Sequence, residues 1–248
     1  MAFNLASIRR GPQALPPRIV IYGEHGLGKS TFAAGAPAPI FIQTEDGLAS
    51  LDVASFPLAT AHEQVLEAVS ALYAEKHDFE TVVLDSLDWA EKLIWSYVAR
   101  RADKQSIEDF GYGKGYQHAA ESMGELLAGL NALRVERKMA VILTAHAQVK
   151  RFDDPTSASY DRFELALHKA ASALVSEWAD VIAFATHDTI VRTEEAGFNK
   201  KLKKAVASDR VIHVERAPAF NAKNRYSLPP KLPLSWDAFS SALADAQR

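Results

Sequence analysis

The stretch Gly23-Glu24-His25-Gly26-Leu27-Gly28-Lys29-Ser30 constrains this chain more than any other. It fits the pattern G-x-x-x-x-G-K-[ST]. It also has the flanks that pattern requires. Arg18 to Tyr22 is a short apolar run that reads as a buried strand, and Ser30 to Ala34 opens a helix. Glycines let a backbone close around a polyphosphate with successive N–H groups pointing inward. The contacts to a nucleotide are therefore expected from Gly23, Glu24, His25, Gly26, Leu27, Gly28, Lys29, Ser30 and Thr31. Lys29 is assigned to the β and γ phosphates and the Ser30 hydroxyl to Mg²⁺, so ATP and Mg²⁺ are the expected ligands. His25 occupies a variable position of the loop and reads as a solvent-facing side chain.

Two acidic positions follow buried strands. In Thr81-Val82-Val83-Leu84-Asp85-Ser86 the carboxylate of Asp85 ends an apolar run. That puts it on the sheet edge that carries the phosphate loop, where it can hold Mg²⁺ as a Walker B aspartate does. In Ile40-Phe41-Ile42-Gln43-Thr44-Glu45, Glu45 ends another strand. It is either a carboxylate that polarises an attacking water or an acidic turn before Gly47. Asp88 reads as the N-cap of the next helix.

The rest of the chain alternates strands with helices. Helical spacing marks 62–76, the segment around Trp89 to Val98, 118–134 and 165–178, while 140–144 and 181–185 read as strands. Strands that are apolar on both faces imply a mostly parallel sheet covered by helices on both sides. After residue 186 two further strands, 189–192 and 211–214, are expected around a lysine-rich excursion, followed by a short helix from Ser235. The expected organisation is an irregular lead-in over 1–17 and one α/β core over 18–248 with a C-terminal β extension. The absence of cysteine excludes disulfides, thiolate zinc sites and cysteine nucleophiles. The eight histidines show no i, i+4 pairing, so no metal is expected beyond the nucleotide's. No apolar run approaches the ~20 residues of a membrane helix, and a soluble cytoplasmic protein is expected.

With these three motifs in order, the chain resembles the RecA-like P-loop ATPases over roughly residues 17–230. The resemblance implies a catalytic role for Glu45, metal support from Asp85, and a γ-phosphate sensor at His146 in Val141-Ile142-Leu143-Thr144-Ala145-His146. Most members carry glutamine at that position, and Gln148 is a nearby substitute. Lys223 and Arg225 in Ala222-Lys223-Asn224-Arg225-Tyr226 match the K-x-R element that related ATPases insert into a neighbour's site, and this reading is preferred to a basic turn before Pro229-Pro230. Short core-only chains of this type are similar to phage-encoded ATP-binding proteins regarded as minimal single-strand annealing proteins. Phe3 to Ala6 has the F-x-x-A form of a recombinase polymerisation motif, though a helix or strand that packs onto the chain's own core is the preferred reading.

In that family two loops face DNA. The first matches Phe110 to Tyr116, where Tyr112 and Tyr116 would stack on bases and Lys114 would meet phosphate. The alternative is a glycine-rich connection whose tyrosines pack on the core. The second matches Val149 to Phe163, with Lys150 and Arg151, in a connection of roughly 20 residues. Lys200 to Lys204 is the densest basic cluster and fits a solvated hairpin tip equally well. The net charge is −3, so DNA contact must rest on such local cations. The expected function is a DNA-stimulated ATPase that binds single-stranded DNA and promotes annealing or strand exchange. The expected partners are further copies of the chain in a ring or filament and a single-strand binding protein. The alternative is a motor or loader acting on a protein partner such as a replicative helicase.

Overall fold

Along each central strand, side chains alternate between two cores. Val20 and Tyr22, Val82 and Leu84, Val141 and Leu143 enter one core; Ile19 and Ile21, Val83 and Ile142 enter the other. A strand buried on both faces must be apolar at every position, which is why these segments read as continuous runs. The computed structural model describes residues 8, 11, 15–154, 158–195 and 201–246. Its strands are β1 (Arg18–Gly23), β2 (Pro39–Gln43), β3 (Ala54–Ser55), β4 (Thr81–Asp85), β5 (Ala140–Phe152), β6 (Tyr160–Leu165), β7 (Val181–Glu195), β8 (Lys201–His213), β9 (Lys223–Asn224) and β10 (Lys231–Pro233). Its helices are α1 (Lys29–Ala34), α2 (His62–Ala74), α3 (Leu87–Arg101), α4 (Lys114–Glu136), α5 (Lys169–Trp178) and α6 (Trp236–Ala246).

The main sheet runs β10-β8-β7-β1-β5-β4-β2-β3. From β7 to β3 all neighbours are parallel, while β8 and β10 join antiparallel at one edge. The expected mostly parallel α/β sheet with a C-terminal β extension is therefore present. Helices α2 to α5 supply residues such as Leu72, Ile94, Leu126 and Val175 to one core. Phe32 of α1 and Phe239 of α6 enter the other, with ring centroids 5.7 Å apart.

Four boundaries differ from the sequence reading. The strand read as 140–144 continues to Phe152 and turns back antiparallel through β6, so the expected second loop is a two-stranded arm. Its polar faces leave no apolar run, but Phe152 packs on Tyr160 and the Arg162 guanidinium lies 4.0 Å above the Phe152 ring. The last expected helix before β7 starts at Lys169, because Leu165 is the end of β6. Helix α4 starts at Lys114, on Gly113 in a left-handed conformation (φ +70°). Residues 189–192 continue β7. The F-x-x-A segment and Lys200 lie outside the described residues, as do the side chains of Lys201 to Lys204.

At the N-terminal edge of the parallel strands, one carboxylate gathers several cations. Asp180 is 4% exposed and accepts hydrogen bonds from the Arg18 backbone and guanidinium, from Arg134 and from Arg225. The opposite, C-terminal edge carries the phosphate loop.

Candidate functional site

The loop leaves β1 at a position only glycine can fill. A Cβ on Gly23 would lie 2.4 Å from the Ala185 carbonyl oxygen of the neighbouring strand β7. Gly28 caps α1 with φ +97°, a conformation that an L side chain strains to adopt. The next residue, Lys29, is 7% exposed, and its Nζ donates to the carbonyls of Gly23 (3.1 Å) and Glu24 (2.8 Å). Burial pushes its ammonium below the ordinary lysine range, and the charges of Asp85, Asp88 and Glu45 push back. These features fit a polyphosphate: a glycine-shaped cradle with a buried amine held at its base.

Asp85 ends β4 and is 9% exposed. The Thr144 hydroxyl, one strand over on β5, donates to its Oδ1. Glu45 lies just past β2, and the Ser86 hydroxyl donates to its Oε2 at 3.1 Å. A cleft of about 280 Å³ brings His25, Lys29, Ser30, Thr31, Glu45, Asp85 and His146 together. Glu45 thus faces the cleft. Ser30 and Asp85 are the oxygen donors that would hold Mg²⁺.

Asp88 has a larger part than capping. Ser86 is the residue at the N-cap, and Asp88 sits inside the first turn of α3. Its Oδ1 accepts the His146 backbone N–H and its Oδ2 meets His146 Nδ1, both at 3.0 Å. Burial pushes the Asp88 carboxyl up, but these bonds and the His146 charge outweigh it and hold it below the usual range. With Nδ1 on Asp88, the Nε2 of His146 points toward Glu45, 3.9 Å from its Oε2. His25, expected to face solvent, is exposed but stacks on His146 with centroids 3.9 Å apart. Gln148 is outside this cleft. Its amide donates to the Leu165 and Leu167 carbonyls at the base of the arm.

The remaining expected residues lie elsewhere. Lys223 Nζ donates to the carbonyls of Ser176 (2.6 Å) and Glu177 (2.8 Å), at the C-terminal end of α5. Arg225 pairs with Asp180 at 3.2 Å. Both lie at the sheet edge opposite the chain's own phosphate loop, where they hold its C-terminal segment. Tyr112 is fully exposed and Lys114 is exposed. Tyr116 is not free to stack on a base: its ring lies flat on His168 (4.1 Å, 9°) and its hydroxyl donates to Glu108. Lys150 is half-buried with Nζ 3.4 Å from the Leu167 carbonyl, and Arg151 is exposed beside Asp153. Arg210 of β8 has no place in the sequence reading. It donates to the Leu27 carbonyl at 3.1 Å and reaches within 2.8 Å of where a Gly28 Cβ would stand. No local pattern marks it, because only the β7–β8 pairing brings it to the loop.

A glycine-shaped loop, a buried lysine and an acid on the next strand edge, at the C-terminal side of a parallel sheet, define a P-loop nucleotide-binding domain. Residues 15–226 match the family model described as an AAA domain, and the chain belongs to that family. It is therefore a nucleotide-binding domain of the ATPase type. A comparison with curated proteins returned no match. Among the described residues no helix is long and apolar enough to cross a membrane.

Proposed function

We propose that this protein hydrolyses Mg-ATP and uses the nucleotide state to control binding of single-stranded DNA, in annealing or strand exchange. The observation that carries the reading is the continuity of β5. One strand holds Thr144 and His146 at the cleft and then carries Lys150 and Arg151 on the arm. The strand thus offers a direct covalent route between the cleft and the arm.

The steps follow from the residues. Lys29 exchanges its two backbone carbonyls for phosphate oxygens, which are stronger acceptors for an ammonium. Glu45, held by Ser86, orients a water and accepts its proton. Thr144 fixes the orientation of Asp85. When bound, magnesium neutralises charge on the transferring phosphoryl group. His146, its ring oriented by Asp88, lies where it can exchange a hydrogen bond with the end of the phosphate chain. Tyr112, Lys114, Lys150 and Arg151 offer one stackable ring and three cations to a strand of DNA. Assembly of several copies in a ring or filament would multiply these few contacts.

A second reading, a loader acting on a protein partner, is favoured by Val149, which is 58% exposed on the arm, and by the occupied ring of Tyr116. The test is the ATPase rate with and without single-stranded DNA, together with DNA binding across a salt series with a non-hydrolysable ATP analogue. The DNA reading expects nucleotide-dependent binding at low salt. It also expects Lys150→Ala and Arg151→Ala to flatten the salt slope, by about 0.7 for each phosphate that is no longer neutralised. No nucleotide-dependent binding at low salt would refute it.

A further inference from the structure

We infer that His25, Glu45 and His146 form a binding site for a first-row transition-metal ion, distinct from the Ser30 and Asp85 pair that would take magnesium. One ligand atom from each residue lies within 4.8 Å of the others. Two imidazoles and one carboxylate are a donor set for zinc, cobalt, manganese or ferrous iron; magnesium prefers oxygens. No sequence pattern announces it, because His25 stands on the phosphate loop, His146 on β5, and no i, i+4 pair exists.

Three further features support the assignment. The first is Asp88. A metal-ligating histidine usually donates its other ring nitrogen to a carboxylate, which fixes the ring and its tautomer. His146 Nδ1 meets Asp88 Oδ2 at 3.0 Å, and the His146 backbone N–H holds the other oxygen. Nε2 thereby faces Glu45 Oε2, 3.9 Å away. The second is where the ligands stand. With bonds of about 2.0–2.1 Å, ligand atoms around a tetrahedral ion stand about 3.3 Å apart. The cluster must therefore contract, and the two residues that must move, His25 and Glu45, are on loops, with His25 exposed. The third is the open side. The triad faces the nucleotide cleft, leaving a coordination position for water or phosphate, as in sites with three protein ligands.

An ion here would take the Glu45 carboxylate, so hydrolysis with magnesium should fall as the site fills. That consequence depends on the ATPase reading, but the site itself does not. It is therefore tested without nucleotide. Tag-free full chain is titrated with Co²⁺ and followed by visible absorption and calorimetry. One equivalent should bind and develop the ligand-field band of a four- or five-coordinate ion, displaced by Zn²⁺. Asp88→Asn, a positioning change, should weaken Co²⁺ binding by about 10- to 100-fold and perturb the band. His25→Ala and His146→Ala should each weaken it further, and Ser30→Ala should leave it intact. His25 is exposed, so its variant should melt within a few degrees of the parent, a check made by circular dichroism before titration. A band that persists in His25→Ala, or an unaltered chain that binds no Co²⁺, overturns the inference, whatever the outcome with ATP.

Discussion

Replacing Glu91 with glutamine should change how stability depends on pH. Glu91 lies in α3, is 4% exposed, and accepts the His168 backbone N–H through both oxygens at 3.1 and 3.0 Å. Burial pushes its carboxyl from 4.5 up to about 7; the charge of Asp88 pushes the same way, and the His168 bond and Lys150 act against them. Between those two values the native chain keeps a proton that the unfolded chain has released. The native state then binds more protons than the unfolded state, so stability falls as pH rises through the interval. At about 1.4 kcal/mol per pH unit, the interval from 4.5 to about 7 corresponds to about 3 kcal/mol. Glutamine keeps an acceptor for His168 and carries no charge. Glu91→Gln should therefore be close to the parent near pH 5 and about 3 kcal/mol more stable near pH 8, read from urea unfolding at both values. Parallel pH dependence in parent and variant would show that this carboxyl does not titrate as its burial requires.

Other perturbations separate the roles in the cleft. Lys29→Ala should abolish tight ATP binding, seen by fluorescence titration of a labelled nucleotide, because the replaced ammonium is the buried cation at the base of the cradle. Glu45→Gln should keep that binding and slow hydrolysis by about 10²-fold or more in a phosphate-release assay. Arg210→Ala should weaken nucleotide binding by about tenfold while leaving the melting temperature near the parent's, since its guanidinium is exposed and touches the loop at Leu27. Asp180→Ala should cost about 3–5 kcal/mol in unfolding free energy, because it strands the largely buried guanidinium groups of Arg18 and Arg134.

What is legible in the sequence depends on where the physical constraint resides. The phosphate loop and Asp85 are local: their backbone conformation and strand-end position are written in adjacent residues. The strands β1, β2 and β4 are equally plain, since burial on two faces leaves their central positions apolar. Past Thr144 the same logic fails for β5. Its distal half pairs on one side with β6 and exposes Val149 and Arg151, so charged and apolar residues mix and the run reads as a loop. Long-range partnerships leave no local mark. Asp88 resembles a cap until His146, 58 residues on, is brought against it. Tyr116 resembles a free aromatic until His168 covers its ring. Lys223 and Arg225 form a K-x-R pattern, but the carbonyls at the end of α5 and Asp180 engage them at the far edge of the sheet.

The geometry of β5 sets a mechanical scale. Up to His146 the strand is bonded to β1; beyond it, among the described residues, it pairs with β6 alone. The arm is tied down at Phe163, opposite Val149: its N–H donates to the Ala219 carbonyl, and its carbonyl accepts the Asn221 N–H and the Tyr22 hydroxyl. Beyond that anchor, the three residue steps from Val149 to Phe152 amount to about 10 Å of two-stranded lever. A tilt of about a tenth of a radian there would carry the tip about 1 Å, about a third of a residue's advance along a strand. On the proposed reading, that is the scale on which the cleft would move Arg151 against a phosphate.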